Sequence, residues 1–422
     1  MAPGASILVD PFFDTGSDDY EWNACVGSQG SEENYVDGYI EAAIEPASSV
    51  IDKRMYASRD TLAMPILYNG RHALELLLKF VIKHLHRMGA LAEEHEPNHN
   101  ILSLWSHLHA ARIGDASTRA LLDDLKPFMI SLANIDSDGQ QLRYAQTQSG
   151  EKSLHSISIV SLPQIRVSLN VMREIATKLK SRVWEMERER GTGSYTLECS
   201  RRDLREIAEM LGNHASWRDD SFNKRKAAVR TRFGLGSRKF SQAVTKIRES
   251  RELGALIGLE QPLYHLSDDK AVTVLEFWAK ARPAKWPDFD DLVVDLGKLA
   301  VDGIFEEVGR RHELNAAVCT VLTSDELADL ETLFYVGRDD EFGEDYQHVF
   351  EYRRNFPGAM DSEVDHLLSK TSLLENVING ARRLGRLSLA SRLRATRLIV
   401  NHVGATTLVI PNVAKGKAER AP

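Results

Sequence analysis

The stretch Pro65 to Arg87, read P-I-L-Y-N-G-R-H-A-L-E-L-L-L-K-F-V-I-K-H-L-H-R, constrains the fold of this chain more than any other. Leu67, Leu74, Leu77, Leu78, Val81, Ile82 and Leu85 recur at three- and four-residue steps, which lines them up on one side of a helix. Pro65 suits the first helical turn, where its missing N–H is not needed, and Gly89 suits the stop. The spacing predicts a buried helix of roughly six turns. Its other side is a polar row of Asn69, His72, Glu75, Lys79, Lys83 and His86, with Glu75 four residues before Lys79 in the favourable orientation for an ion pair. That row is either a solvated face or the wall of a cleft in which His72 and Glu75 meet a ligand.

The chain has 422 residues, enough for two or three domains with substantial cores. Its charge is unevenly spread, which says more than the net value of -8. Residues 1–52 hold eleven Asp and Glu and no Lys or Arg, and the segment 1–32 reads as an acidic flexible piece, either solubilising or able to cover a basic surface. Runs free of Asp, Glu, Lys, Arg and His reach only about a dozen residues, too short to cross a bilayer, and no secretory signal is visible. Cys25, Cys199 and Cys319 lie too far apart for a metal knuckle, and read as reduced thiols in a cytoplasm.

Downstream of the central helix, six histidines fall between His84 and His109. His95 and His99 have the four-residue spacing of a shared metal, but Pro97 and Asn98 between them read as loop, so no metal is assigned and no cofactor is expected. Further helices are predicted at Glu33 to Ile51, Thr118 to Ile135 and Pro163 to Glu189. Arg143, in a loop after the turn Asp136 to Gly139, is the main candidate for an anion contact, with a structural acidic partner as the alternative.

A helix carrying His72-Ala-Leu-Glu-Leu-Leu-Leu-Lys79, then a histidine-headed helix His99-Asn-Ile-Leu-Ser-Leu104, then an aspartate-rich turn into Arg143-Tyr144, resembles a HEPN-type helical domain over about residues 50–185. Many such domains cut, bind or regulate RNA, or bind nucleotides, often within bacterial toxin and antiphage defence systems. The resemblance implies a ligand site at His72, Glu75, Lys79, His99, Arg143 and Tyr144. The catalytic HEPN ribonucleases share an R-x4-6-H motif. This chain departs from that pattern inside the matching region, and its one occurrence is Arg397-Leu-Ile-Val-Asn-His402.

Between Arg201 and Arg251 there are fourteen Lys and Arg against six Asp and Glu. Ser200 and Asp203 form a capping-box pattern after a short alternating piece at Tyr195 to Cys199. Leu204 to Gly212 and Arg230 to Val244 have the look of helix-turn-helix pieces, the latter with a turn at Gly234 to Gly236, an N-cap at Ser237, and a short strand at Pro262 to Leu266 as a wing. Arg230, Arg232, Arg238 and Lys239 are the candidate nucleic-acid contacts. The same pattern also fits a helical hairpin with a solvated basic face.

Residues 287–345 carry seventeen acids against four basic residues, with Asp290, Asp291 and Asp295 read as an exposed helix face. A capped helix from Leu322 runs into Val336-Gly-Arg-Asp-Asp-Glu-Phe342, which is similar to a small bacterial domain family of unknown function. Residues 376–402 hold six arginines and no acid, broken near Leu387 and Ser388, and either pair with the acidic region or hold a phosphate backbone. Phosphate-loop, nucleophile-elbow and zinc-helix motifs are absent from the sequence.

The expected protein is mostly α, multi-domain and cytoplasmic, with few short strands and no membrane partner. Residues 1–32 form the acidic segment, 33–190 a HEPN-like helical bundle, 194–285 a basic, winged-helix-like domain, 286–410 an acidic-then-basic helical domain, and 411–422 a tail. Its expected role is RNA or nucleotide binding of a bacterial defence or toxin type. Two alternatives stay open. One is a metal-independent endoribonuclease using Arg397 and His402, acting as a homodimer; the other is a non-enzymatic scaffold for a protein partner, or a helix-turn-helix DNA-binding regulator.

Overall fold

In the computed structural model, residues 20–147, 150–155, 157–281, 301–355 and 358–402 are described, with the backbone alone for 20, 281, 301–308 and 396–402. Sixteen α-helices run through these residues, and the one β feature among them is an isolated bridge between Gln146 and Lys152. The chain is mostly α, as its periodicities require. It separates into two compact units, 1–187 and 188–422. Among the described residues no helix is long and apolar enough to cross a membrane.

The first unit is built from α1 (Glu32–Asp52), α2 (Arg59–Arg87), α3 (Ile101–Ala110), α4 (Ala116–Ile135) and α5 (Leu162–Gly191), whose last turn lies beyond the unit. Its core joins Ile40 and Ile44 of α1, Leu74, Leu78 and Val81 of α2, and Leu179 and Val183 of α5. Polar side chains fix the helix ends. Asn100 and Asp115 cap α3 and α4 through the backbone N–H groups of Ser103 and Thr118. The fully buried Asp115 also accepts from Arg182 of α5 at 2.8 Å, so one carboxylate both caps α4 and anchors α5.

Helix α2 begins six residues before Pro65, which therefore lies in its interior and not in its first turn. An internal proline costs about 3 kcal/mol through a lost hydrogen bond and a ring clash. Burial of Ala63, Ile66 and Leu67 on either side of it offsets that cost. Gly89, at φ +70°, ends the helix as expected.

The second unit contains α6 (Arg201–Leu211), α7 (Asp220–Phe233), α8 (Ser237–Glu249), α9 (Arg251–Leu256), α10 (Asp268–Ala281), α11 (Val301–Val321), α12 (Ser324–Arg338), α13 (Tyr346–Arg354), α14 (Met360–Leu368), α15 (Leu373–Arg383) and α16 (Leu387–His402). The expected capping box is present at Ser200 with Asp203, and the expected cap before α12 is a second such box, Thr323 with Glu326. Gly234 takes the left-handed conformation that ends α7, but the N-cap of α8 is Gly236, and Ser237 is the first helical residue.

The expected strand at Pro262 to Leu266 does not form, and the alternating piece before α6 is not a strand either. At Tyr195 to Cys199 the chain makes a tight turn closed by Thr196 N–H donating to Cys199 O at 2.8 Å. At Pro262 to Leu266 the backbone N–H groups of His265 and Leu266 donate instead to the buried Asp329 carboxylate, at 2.6 and 2.8 Å, while Tyr346 O–H donates to its other oxygen at 2.5 Å. A side chain thus takes the hydrogen bonds that a strand partner would have supplied.

Helices α12 and α15 cross with their backbones in near contact. A Cβ on Gly380 would lie 1.8 Å from Leu333 O, and one on Gly337 would lie 1.9 Å from Asn376 O. Neither position has room for a methyl group. Gly380→Ala is expected to lower unfolding stability by on the order of 3 kcal/mol, measured by urea denaturation.

Glu331 of α12 is 3% exposed, and among the described residues its Oε1 has no hydrogen-bond partner. Burial pushes its carboxyl up to about 7, the Arg353 charge opposing and the Glu363 charge adding to the shift. An unfolded carboxyl titrates near 4.5, so between about pH 4.5 and 7 the folded state holds the extra proton, and stability falls as pH rises through that window. Glu331→Gln should remove this slope, gaining about 2–3 kcal/mol over the parent at pH 8 but little at pH 4, as read from denaturation curves at the two pH values.

Candidate functional site

The polar row of α2 does not simply face water. Glu75 is 1% exposed, and beside it lies Arg71, also 1% exposed and four residues earlier on the helix. Arg71 Nη1 donates to Glu75 Oε2. The remaining guanidinium bonds go to backbone carbonyls of two other elements. Nε donates to Asp136 O at 3.2 Å, and Nη2 donates to Ser137 O at 2.9 Å and to His99 O. One buried side chain thus holds the residues before α3 and the end of α4 against α2, using the fixed fork that distinguishes arginine from lysine.

The turn after α4 is shaped around it. The buried Asp136 carboxylate accepts from Gln140 N–H at 2.8 Å and Leu142 N–H at 3.0 Å. Gly139, at φ +81°, passes so close that a Cβ there would lie 3.1 Å from Arg71 Nη1. Both the backbone conformation and the guanidinium exclude a side chain at this position.

Besides Arg71, three further cations or donors converge on the Glu75 carboxylate. Lys79 Nζ donates to Oε1 at 2.6 Å, His99 Nδ1 bonds the same oxygen at 2.8 Å, and His72 Nδ1 lies 3.8 Å from Oε2. Burial alone would raise this carboxyl, but its contacts with His72, Lys79, His99 and Arg71 outweigh that and hold it well below the usual carboxylate range. The buried carboxylate keeps the outer residues in place. The side chain of His99 is 68% exposed and that of Lys79 is 38% exposed. With Nδ1 of His99 engaged by Glu75, Nε2 is the ring nitrogen left to meet a ligand.

Arg143 and Tyr144 join this face through an aromatic neighbour. Arg143 Nε donates to Gly139 O at 2.7 Å, while its guanidinium lies 5.7 Å over the Tyr68 ring and 5.3 Å over the Tyr144 ring. Tyr68 is in turn stacked on His72 at 5.7 Å, with the rings inclined by 8°. The expected residues His72, Glu75, Lys79, His99, Arg143 and Tyr144 therefore form one connected face, with Glu75 buried beneath it. The structural acidic partner offered as an alternative for Arg143 is, in the fold, a backbone carbonyl. Arg71 and Tyr68 were not singled out from the sequence, although the four-residue step from Arg71 to Glu75 was the available signal.

His95 and His99 turn to different partners. His95 Nε2 meets Ser103 Oγ at 2.8 Å and its Nδ1 meets Glu96 O at 2.7 Å. Among the described residues no group of three or more His, Cys, Asp or Glu could hold a metal ion.

In the second unit much of the basic excess is paired internally. Arg201 and Arg205 bind Glu252, Arg232 binds Glu206, and Lys239 binds Glu198 at 2.5 Å. Arg230 Nε donates to Leu235 O at 3.1 Å and so secures the turn between α7 and α8. Arg238 stands exposed at the start of α8. Among the arginines of 376–402, Arg383 pairs with Asp340, Arg386 with Asp268 at 2.6 Å, and Arg392 with Asp269 at 2.7 Å. The side chains of Arg397 and His402 lie outside the described residues, as do Asp290, Asp291 and Asp295.

No protein-family model, no curated protein and no solved structure matches the chain.

Arg71→Met, which keeps length and apolar volume, should cost about 3–5 kcal/mol of stability, because it leaves Glu75 and three carbonyls without their buried donor. The stability that the ionised Glu75 contributes is complete above the ordinary carboxylate range and is lost as pH falls below about 4.5. Glu75→Gln should therefore destabilise most at pH 7, by an amount that begins to shrink below about pH 4.5 but is not abolished at pH 3, because the folded carboxyl is held well below the usual range. Thermal melts across that range check both expectations.

Proposed function

We propose that the first unit binds an anionic nucleotide or RNA segment at the face of His99, Lys79, His72, Arg143, Tyr68 and Tyr144, in the manner of a HEPN-like nucleic-acid-binding protein of bacterial defence or toxin type. One observation carries this reading. An exposed histidine is held by a buried carboxylate through Nδ1, beside a half-exposed lysine bound to the same carboxylate. Such a pair offers a phosphate one directed cationic donor in Lys79, and a second in Nε2 of His99 when the imidazole is protonated, both held in place before the ligand arrives.

The aromatic part of the face suits the rest of a nucleotide. Tyr144 is 55% exposed, and the guanidinium of Arg143 already lies over two rings. Bases stack on tyrosine and on guanidinium planes, so a phosphate at Lys79 and His99 with a base towards Tyr144 uses both halves. In the second unit, the exposed Arg238 at the first turn of α8 supports a separate phosphate contact of that unit's own.

Binding of a labelled RNA oligonucleotide and of a mononucleotide, measured by filter retention at low and high salt, tests this. Both affinities should fall with salt, and Lys79→Glu with Arg143→Glu should lower both by more than about tenfold. Arg238→Glu should weaken the oligonucleotide alone. Unchanged retention of both ligands by the Lys79 and Arg143 variant would remove the proposed site.

A further inference from the structure

A concavity elsewhere in the first unit has a different chemistry. It lies where α1 gives way to α2, and has a volume of about 760 Å³, within the range of about 300–1,000 Å³ typical of small-molecule sites. Its walls are apolar, with Val50 and Ile51 from the end of α1, Met64 and Leu67 from α2, Ile135 from the end of α4, and Ile157 from the segment that leads into α5. Two arginines also line it, Arg54 and Arg59, both exposed, and so set at its solvent end. Arg59 has Asp60 at 3.4 Å, whereas Arg54 makes no ion pair among the described residues.

Two further features set this hollow apart from a packing gap. Three non-glycine residues of the described chain have positive φ, and two of them, Arg54 at +51° and Leu154 at +54°, line it. Such conformations cost about 1 kcal/mol or more, and they gather at ligand clamps more often than elsewhere. Large apolar side chains also stand exposed on the same lining, Ile159 at 88% and Tyr56 at 68%. Exposed apolar surface around a concave apolar wall marks a place where something apolar is received.

From these we infer that the cavity binds an amphipathic carboxylate of the fatty-acid class, its tail against Met64, Leu67 and Ile157 and its carboxylate at Arg54 and Arg59. The apolar wall alone would accept a neutral alcohol, but an unpaired guanidinium at the open end favours an anionic head. No bond is made or broken.

Titration of the full chain with decanoate, decanol and butyrate by calorimetry tests the inference. Decanoate should bind saturably at one site, decanol about fivefold more weakly, and butyrate not measurably. Arg54→Asn with Arg59→Gln should reduce decanoate to the affinity of decanol and leave decanol unchanged; asparagine tolerates the left-handed backbone, and both sites are exposed, so folding is preserved. Met64→Trp should block both long-chain ligands. Non-saturable uptake of decanoate, equal affinities for decanoate and decanol in the parent, or unchanged decanoate binding in the double arginine variant would overturn it.

Discussion

The first unit depends on one buried guanidinium. Arg71 donates to a carboxylate on its own helix and to carbonyls of Asp136, Ser137 and His99, which belong to chain segments more than twenty residues away on the same unit. An apolar side chain could fill the space but could not fix the register of three backbone segments at once. Because Glu75 balances the arginine charge, it is drawn below the surface, and Lys79 and His99 are held above it as a consequence of the same pairing. The surface face proposed for ligand binding is thus a by-product of what keeps α2, α3 and α4 together.

Charge has a different use in the second unit. Glu252 meets Arg201, Arg205 and Arg383, and Glu344 accepts from Arg201, Ser194 and Ser250. These contacts join α6, α9, α15 and the turn before α13, so residues that look like an electrostatic surface in sequence are internal braces in the fold. A local excess of eight positive charges between 201 and 251 overstates what solvent meets, since its acidic partners at Glu198 and Glu252, and at Glu344, lie just outside the counted segment or far along the chain.

Helices with strong apolar periodicity were legible from sequence to within a residue or two, as at α1, α4 and α5. The start of α2 was not, because the rule for Pro65 concerns local backbone cost, and tertiary burial overrides it. The short strand at Pro262 to Leu266 failed for a related reason. Alternation of residue types says nothing about which acceptor lies nearby, and Asp329, more than sixty residues downstream, supplied it at His265 and Leu266. At the candidate site the exposed members were readable as residue types at helical spacing. Arg71 was not, since its three carbonyl partners have no residue signature. Hydrogen bonds to backbone leave no mark on the sequence of the acceptor.

The meeting of Gly337 and Gly380 gives the second unit a fastening of another kind from its many ion pairs. Steric contact between main chains has neither a proton to lose nor a counterion to attract, so acidity and ionic strength leave it alone while they loosen the braces around it. The steric fit of this crossing is thus independent of pH and salt, even though the same α12 carries Glu331 and Asp329, whose charges are not.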